Sequence, residues 1–154
     1  MAVMFSKVLV MCVGNICRSP MAVALLRHRL PSGSLQVSSA GLQACVGAGM
    51  DPSAKAVLAD YQIASPSHHA RQFTHDMLHW AELILLMEQR QVQTLVQLAP
   101  EVRGKVFLIG KWRNELEIAD PYRRPKTAFQ QTYSHLSRCI DDWLPYLRSE
   151  DRKK

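Results

Sequence analysis

Long apolar runs are missing. No stretch of this 154-residue chain reaches the roughly 18 consecutive apolar residues that a membrane span needs, so no membrane insertion is expected. The opening MAVMFSKVLV has neither a basic start nor a small-residue cleavage site, and the apolar run after Lys7 is interrupted by Gly14; it does not read as a signal peptide. Cysteine is scarce as well: four in a chain of this length do not make a disulfide framework, and without an export signal they read as thiols of a cytoplasmic protein. Aromatic residues are few, at 7%, and are not interleaved with the basic ones, which argues against a nucleic-acid partner. There is no internal repeat, no low-complexity segment and no linker, so residues 1–154 read as one domain. Acidic residues are in the minority, 13 against 19 Lys and Arg, giving a net charge of +6 and pointing to an anionic partner. What is present, 47% hydrophobic and 21% charged residues, is ordinary for a globular protein with a sizeable core.

Along the chain, short apolar runs alternate with helical stretches. Lys7 to Val13 is continuously apolar after its lysine, as in a strand buried on both faces. The pair Gly14-Asn15 breaks it, and Ser19-Pro20 opens a helix from Met21 to about Leu30, with Ser as cap and Pro in the first turn. Gln36 to Ala40 reads as a second strand ended by Gly41. Asp51-Pro52 opens a helix to about Tyr61, and Thr74 caps a short one ending at Trp80. Leu83 to Met87 is a third strand, Glu88 to Leu98 a helix, and Val106 to Ile109 a fourth strand. Lys111 to Pro125 is irregular. Phe129, Tyr133, Leu136, Ile140, Trp143 and Leu147 form one stripe of a long terminal helix, followed by a charged tail from Arg148 to Lys154. The alternation predicts an α/β fold, a three-layer sandwich with a central four-stranded parallel sheet between helices. In such sheets ligands sit beyond the carboxyl ends of the strands, here first after Cys12-Val13.

That end carries Cys12-Val13-Gly14-Asn15-Ile16-Cys17-Arg18-Ser19-Pro20. A tight strand-to-helix loop turns backbone N–H groups inward, and the helix start adds positive potential. Arg18 adds a planar fork that grips two oxygens of a phosphate. These groups would hold a tetrahedral oxyanion over the Cys12 sulfur and favour its thiolate, the nucleophilic form. A Cys with Arg six positions on is by itself a short pattern, whose bland reading is a buried thiol and a surface Arg. The surrounding strand end, turn and helix start are what point to an anion site.

The loop C-V-G-N-I-C-R-S-P-M-A resembles the signature of the low-molecular-weight protein tyrosine phosphatases. Ser39-Ala40-Gly41, His68 to Gln72, Leu86-Met87-Glu88 and Asp120-Pro121-Tyr122 resemble that family's other landmarks, in its order. Asp-Pro-Tyr followed by Arg123-Arg124 is similar to the bacterial branch linked to capsule and exopolysaccharide production. The resemblance implies hydrolysis of phosphotyrosine through a phosphocysteine on Cys12. Arg18 and the amides of residues 13 to 18 would bind the phosphoryl oxygens, and Asp120 would be general acid and then general base. No metal or cofactor is implied. The implied partner is a phosphotyrosine protein, such as a bacterial tyrosine autokinase. Without the resemblance, Asp120-Pro121 would read as the start of a turn.

The resemblance further implies that Asn15, Ser19, Ser39 and His68 support the loop, that Ser19 contacts the Cys12 sulfur, and that Leu42 and Tyr122 line the substrate cleft. Ile16 favours phosphotyrosine over phosphoarginine, because the arginine-phosphatase branch typically has threonine there. Cys17 would form a reversible disulfide with Cys12 under oxidation. Cys45 and Cys139 read as passive thiols. His75 and His79 have metal-ligand spacing, but no Cys, Asp or Glu pattern completes a site. Two other functions fit parts of the pattern. An arsenate reductase shares the fold and loop but needs a further cysteine relay, and residues 82 to 98 contain no Cys. A non-catalytic phosphoanion-binding module suits the charge but has no need of both Cys12 and Asp120.

Overall fold

The first strand, β1 (Lys7–Cys12), forms because its five residues after Lys7 are apolar and all are buried. In this computed structural model, which describes residues 5–147 except Ser32 and Pro66, β1 lies inside the sheet. The expected tail, 148–154, and residues 1–4 lie outside the described residues. The chain continues through α1 (Arg18–Arg29), β2 (Gln36–Gly41), α2 (Pro52–Asp60), α3 (His75–Trp80), β3 (Leu83–Leu86), α4 (Gln89–Leu98), β4 (Val106–Leu108) and α5 (Lys126–Trp143). The four strands run parallel in the order β2-β1-β3-β4.

Alternate side chains of the central strands feed two cores. Val8, Val10, Leu83 and Leu85 face one layer, shared with Leu25, Phe129 and Leu136. Leu9, Met11, Ile84 and Leu86 face the other, shared with Leu78 and Leu95. The expected three layers around a four-stranded parallel sheet are therefore present, and a strand buried on both faces needs its uninterrupted apolar run.

Three details differ from the sequence expectations. The first helix starts at Arg18, and its N-cap Cys17 makes no side-chain capping bond, so Ser19 is not the cap. A 3-10 turn, Pro100–Lys105, precedes β4; it follows from Pro100, which suits a first turn, and was not anticipated. Finally, α5 stops at Trp143 and a 3-10 turn carries Pro145. Leu147 is buried, but through a bridge with Phe5 rather than as the last rung of the helical stripe.

Gly41 ends β2 where chain segments crowd. A Cβ there would lie 2.5 Å from the Val13 carbonyl oxygen and 3.0 Å from Ala44 Cα. Gly41→Ala is expected to push the residue 13–17 loop out of shape and to cost about 2 kcal/mol, the usual scale for overpacking. Thermal unfolding checks it; an unchanged Tm would show that the loop yields freely.

Candidate active site

Because every strand points the same way, the carboxyl ends of β1, β2 and β3 share one rim. A cavity of about 190 Å³ opens there, lined by Cys12, Val13, Gly14, Ile16, Cys17, Arg18, Gln43, Cys45, Asp120 and Tyr122. A larger groove of about 310 Å³ beside Leu26, Leu30 and Val37 holds no reactive side chain, so size does not mark the site. Cys12 is 3% exposed.

The loop over the cavity is held by Asn15. This buried residue has a φ of 60°, a left-handed conformation that Asn tolerates better than most residues. Its Nδ2 donates to Ser19 Oγ at 2.8 Å and Ser39 Oγ at 3.0 Å. Its Oδ1 accepts from the Arg71 amide at 3.0 Å, and its carbonyl oxygen lies 2.6 Å from His68 Nε2. The structure thus brings Asn15, Ser19, Ser39 and His68 together and adds the Arg71 backbone. Nothing in the sequence marks an amide donor, so Arg71 was not legible there.

Ser19 Oγ lies 3.0 Å from Cys12 Sγ. Since that oxygen already accepts from Asn15, its own hydrogen is free to point at the sulfur. Arg18 is 2% exposed and anchored on one side: Nη1 donates to Glu88 Oε1 at 3.0 Å and to the Ile118 carbonyl at 2.7 Å, while Nη2 is 3.8 Å from Asp120 Oδ2. Glu88 was seen in the sequence only as a landmark at a strand end; here its carboxylate anchors the arginine.

Asp120 sits in the irregular segment, with its side chain 49% exposed and Oδ1 accepting from the Tyr122 amide at 3.1 Å. Tyr122 is 44% exposed, with the Arg123 guanidinium 5.3 Å above its ring. Ile16 and Tyr122 line the cavity. Leu42 does not. It packs against the core on the α3–α4 side, and Gln43 and Cys45, from the turn that follows β2, take the wall.

Three of the four cysteines border this cavity. Burial, with the carboxylates of Asp51 and Asp120, pushes the Cys17 thiol far above its ordinary range, so it stays protonated. Cys139 lies buried in α5, its thiol pushed up to about 11 by burial. Cys45 alone is exposed. With saturating phosphate shielding Cys12, brief alkylation is expected to place the first label on Cys45 and to block turnover by filling the cavity. Peptide mapping checks it; a first label on Cys17 or Cys139 would contradict it. His75 and His79 both approach Glu101 Oε2, at 3.6 Å each. Among the described residues, no three His, Cys, Asp or Glu side chains are placed to hold a metal ion.

A thiol beneath an anion-binding loop, an arginine beside it and a carboxylic acid across the opening have the layout of a phosphatase that works through cysteine. Residues 7–153 match the family model for low molecular weight phosphotyrosine protein phosphatase. The chain is 47% identical over 147 residues to the low molecular weight protein-tyrosine-phosphatase Wzb of Escherichia coli K12, covering 96% of this chain and 99% of that protein. The structure superimposes on the crystal structure of the Erwinia amylovora tyrosine phosphatase AmsI with a TM-score of 0.87 at 39% identity, over 92% of this chain and 93% of that one. It also superimposes on Vibrio vulnificus Wzb in complex with benzylphosphonate, with a TM-score of 0.85 at 37% identity, over 90% and 97% of the two chains. The chain belongs to the low molecular weight phosphotyrosine protein phosphatase family and is a protein tyrosine phosphatase.

Proposed function

We propose that this phosphatase removes phosphate from a tyrosine-phosphorylated protein of bacterial exopolysaccharide assembly, a tyrosine autokinase among them, with residues 1–154 acting as one cytoplasmic domain. The observation that carries the chemistry is the convergence of Cys12, Arg18 and Asp120 on one cavity, with Ser19 Oγ at the Cys12 sulfur. Cys12 attacks phosphorus as the bond to the tyrosine oxygen breaks, and Asp120 protonates that oxygen as it leaves. Arg18 and the loop amides hold the phosphoryl oxygens through both steps. Asp120 then takes a proton from the water that hydrolyses the phosphocysteine, and Ser19 stabilises the departing thiolate. Where a peroxide has oxidised Cys12 to the sulfenic acid, Cys17, beside it in the wall, gives up its proton and displaces the hydroxyl as water, forming a disulfide that thiols reverse; the reluctance of the Cys17 thiol to ionise makes this step slow.

The substrate reading is supported by three features. Cys12 lines the cavity and is only 3% exposed, which suits a phosphate carried on a long phenol over one on a short serine side chain. Tyr122 and Ile16 supply apolar walls for the ring. Arg123 and Arg124 are exposed, and neither is in an ion pair among the described residues, which suits an acidic tyrosine-rich tail. Similarity to Wzb and AmsI supports the exopolysaccharide branch. With chelator present, phosphotyrosine peptides should turn over at least about 100-fold faster than phosphoserine peptides, a difference set by transition-state placement. Replacing Arg123 and Arg124 with Glu should raise KM for acidic peptides several-fold. Equal rates on the two phosphoamino acids would remove the phosphotyrosine reading, and an unchanged KM would remove the acidic tail.

A further inference from the structure

Arg18 has one carboxylate at hydrogen-bond distance, Glu88, and that carboxylate is itself held. Gln91, only 2% exposed, donates Nε2 to Glu88 Oε1 at 2.9 Å, the same oxygen that accepts from Arg18 Nη1 at 3.0 Å. The Gln91 carbonyl oxygen accepts from the Met87 and Glu88 amides, each at 3.1 Å. Its side chain is therefore fixed at both ends against the turn between β3 and α4. The other Glu88 oxygen faces only the exposed Arg90, 3.6 Å away. Without the Gln91 amide, the carboxylate would be free to rotate toward Arg90 and solvent, and Arg18 would follow it or lose it. Arg18 Nη1 also donates to Ile118, two residues before Asp120, so the same chain of bonds reaches the segment that carries the acid.

We infer that Gln91 is a positioning residue for phosphoryl binding: it locks the Glu88 carboxylate in the orientation that aims Arg18 into the cavity. The inference rests on the role proposed above for Arg18. Gln91 is the third residue of α4, and by accepting from the Glu88 amide its side chain helps cap that helix. The bond from its Nε2 to the Glu88 carboxylate goes beyond capping, and precise placement of a phosphate-binding fork needs such support.

Gln91→Glu tests it most directly. The substitution keeps the shape and the acceptor for the Met87 and Glu88 amides, but sets an oxygen against Glu88 Oε1. Gln91→Met removes the amide without adding charge. Inorganic phosphate is titrated calorimetrically into each variant on a Cys12→Ser background, with thermal unfolding measured alongside. The dissociation constant for phosphate should rise about tenfold in a folded variant, the scale of one charge-assisted hydrogen bond misplaced. A change below about threefold in a folded variant would overturn the inference, and so would failure of both variants to fold, which would make Gln91 merely structural. Turnover of a phosphotyrosine peptide by the unsubstituted enzyme is followed separately. Its absence would sink the catalytic mechanism and leave the phosphate titration readable.

Discussion

Cys12→Ser is expected to lower turnover of para-nitrophenyl phosphate by at least about 10⁴-fold, with chelator present, while leaving the protein folded and able to bind phosphate. The two halves of that expectation have separate physical origins. A serine hydroxyl gives up its proton far less readily than a thiol, and no base stands beside residue 12 to remove it; its neighbour is the Ser19 hydroxyl. The cradle, in contrast, owes little to the sulfur. Its shape is set by Asn15, Ser39, His68 and the Arg71 amide, and its charge by Arg18. The variant should therefore retain phosphotyrosine peptides without cleaving them. Residual turnover near that of the unsubstituted enzyme would mean that another group attacks phosphorus; loss of phosphate binding would mean that the sulfur helps shape the loop.

Asp120→Asn should lower turnover of a phosphotyrosine peptide by about 10²–10⁴-fold, the usual worth of general acid help. The size of the loss should depend on the leaving group. Tyrosine departs poorly as a bare phenolate, whereas para-nitrophenolate leaves without needing a proton, so the loss on para-nitrophenyl phosphate should be smaller. Asparagine keeps the oxygen that accepts from the Tyr122 amide, so the turn survives. The contact it weakens is the 3.8 Å approach to Arg18, which is long for an ion pair whose carboxylate is half in solvent. An equal loss on both substrates would show that the carboxylate acts through its charge or position and not as an acid.

Much of this was legible in the sequence because it rests on local pattern. The apolar runs at β1 and β3 and the helical stripe from Phe129 to Trp143 gave the architecture, since a two-sided sheet and a one-sided helix demand those patterns. The loop from Cys12 to Ser19 announced its chemistry because its groups are contiguous. Contacts between distant segments were harder to read. Leu42 was placed in the cleft by resemblance, but its side chain turns to the core, and Gln43 and Cys45 face the opening. Cys45, read as a passive thiol, turns out to be exposed in the wall of the cavity. The Arg71 amide, Glu88 and Gln91 act through bonds whose partners lie far away in the chain. Ser19 is no cap because the helix begins at Arg18, two residues before the Pro20 start that the Ser-Pro pair suggests.

The span of those bonds has a consequence for how the protein is made. The phosphate loop leaves the ribosome before most of its support: Asn15 acquires its partner amide only with Arg71, and Arg18 its acceptors only with Glu88 and Ile118. At about 5–20 residues per second, the segment that will carry Cys12 waits on the order of ten seconds for the rest of its support. Its central strand is equally delayed, because β1 pairs with both β2 and the much later β3. The nascent chain thus spends that interval with a free thiol and an apolar strand still lacking one of its two neighbours. The site is complete only once the segment bearing Asp120 has been made, about a hundred residues after the loop it serves.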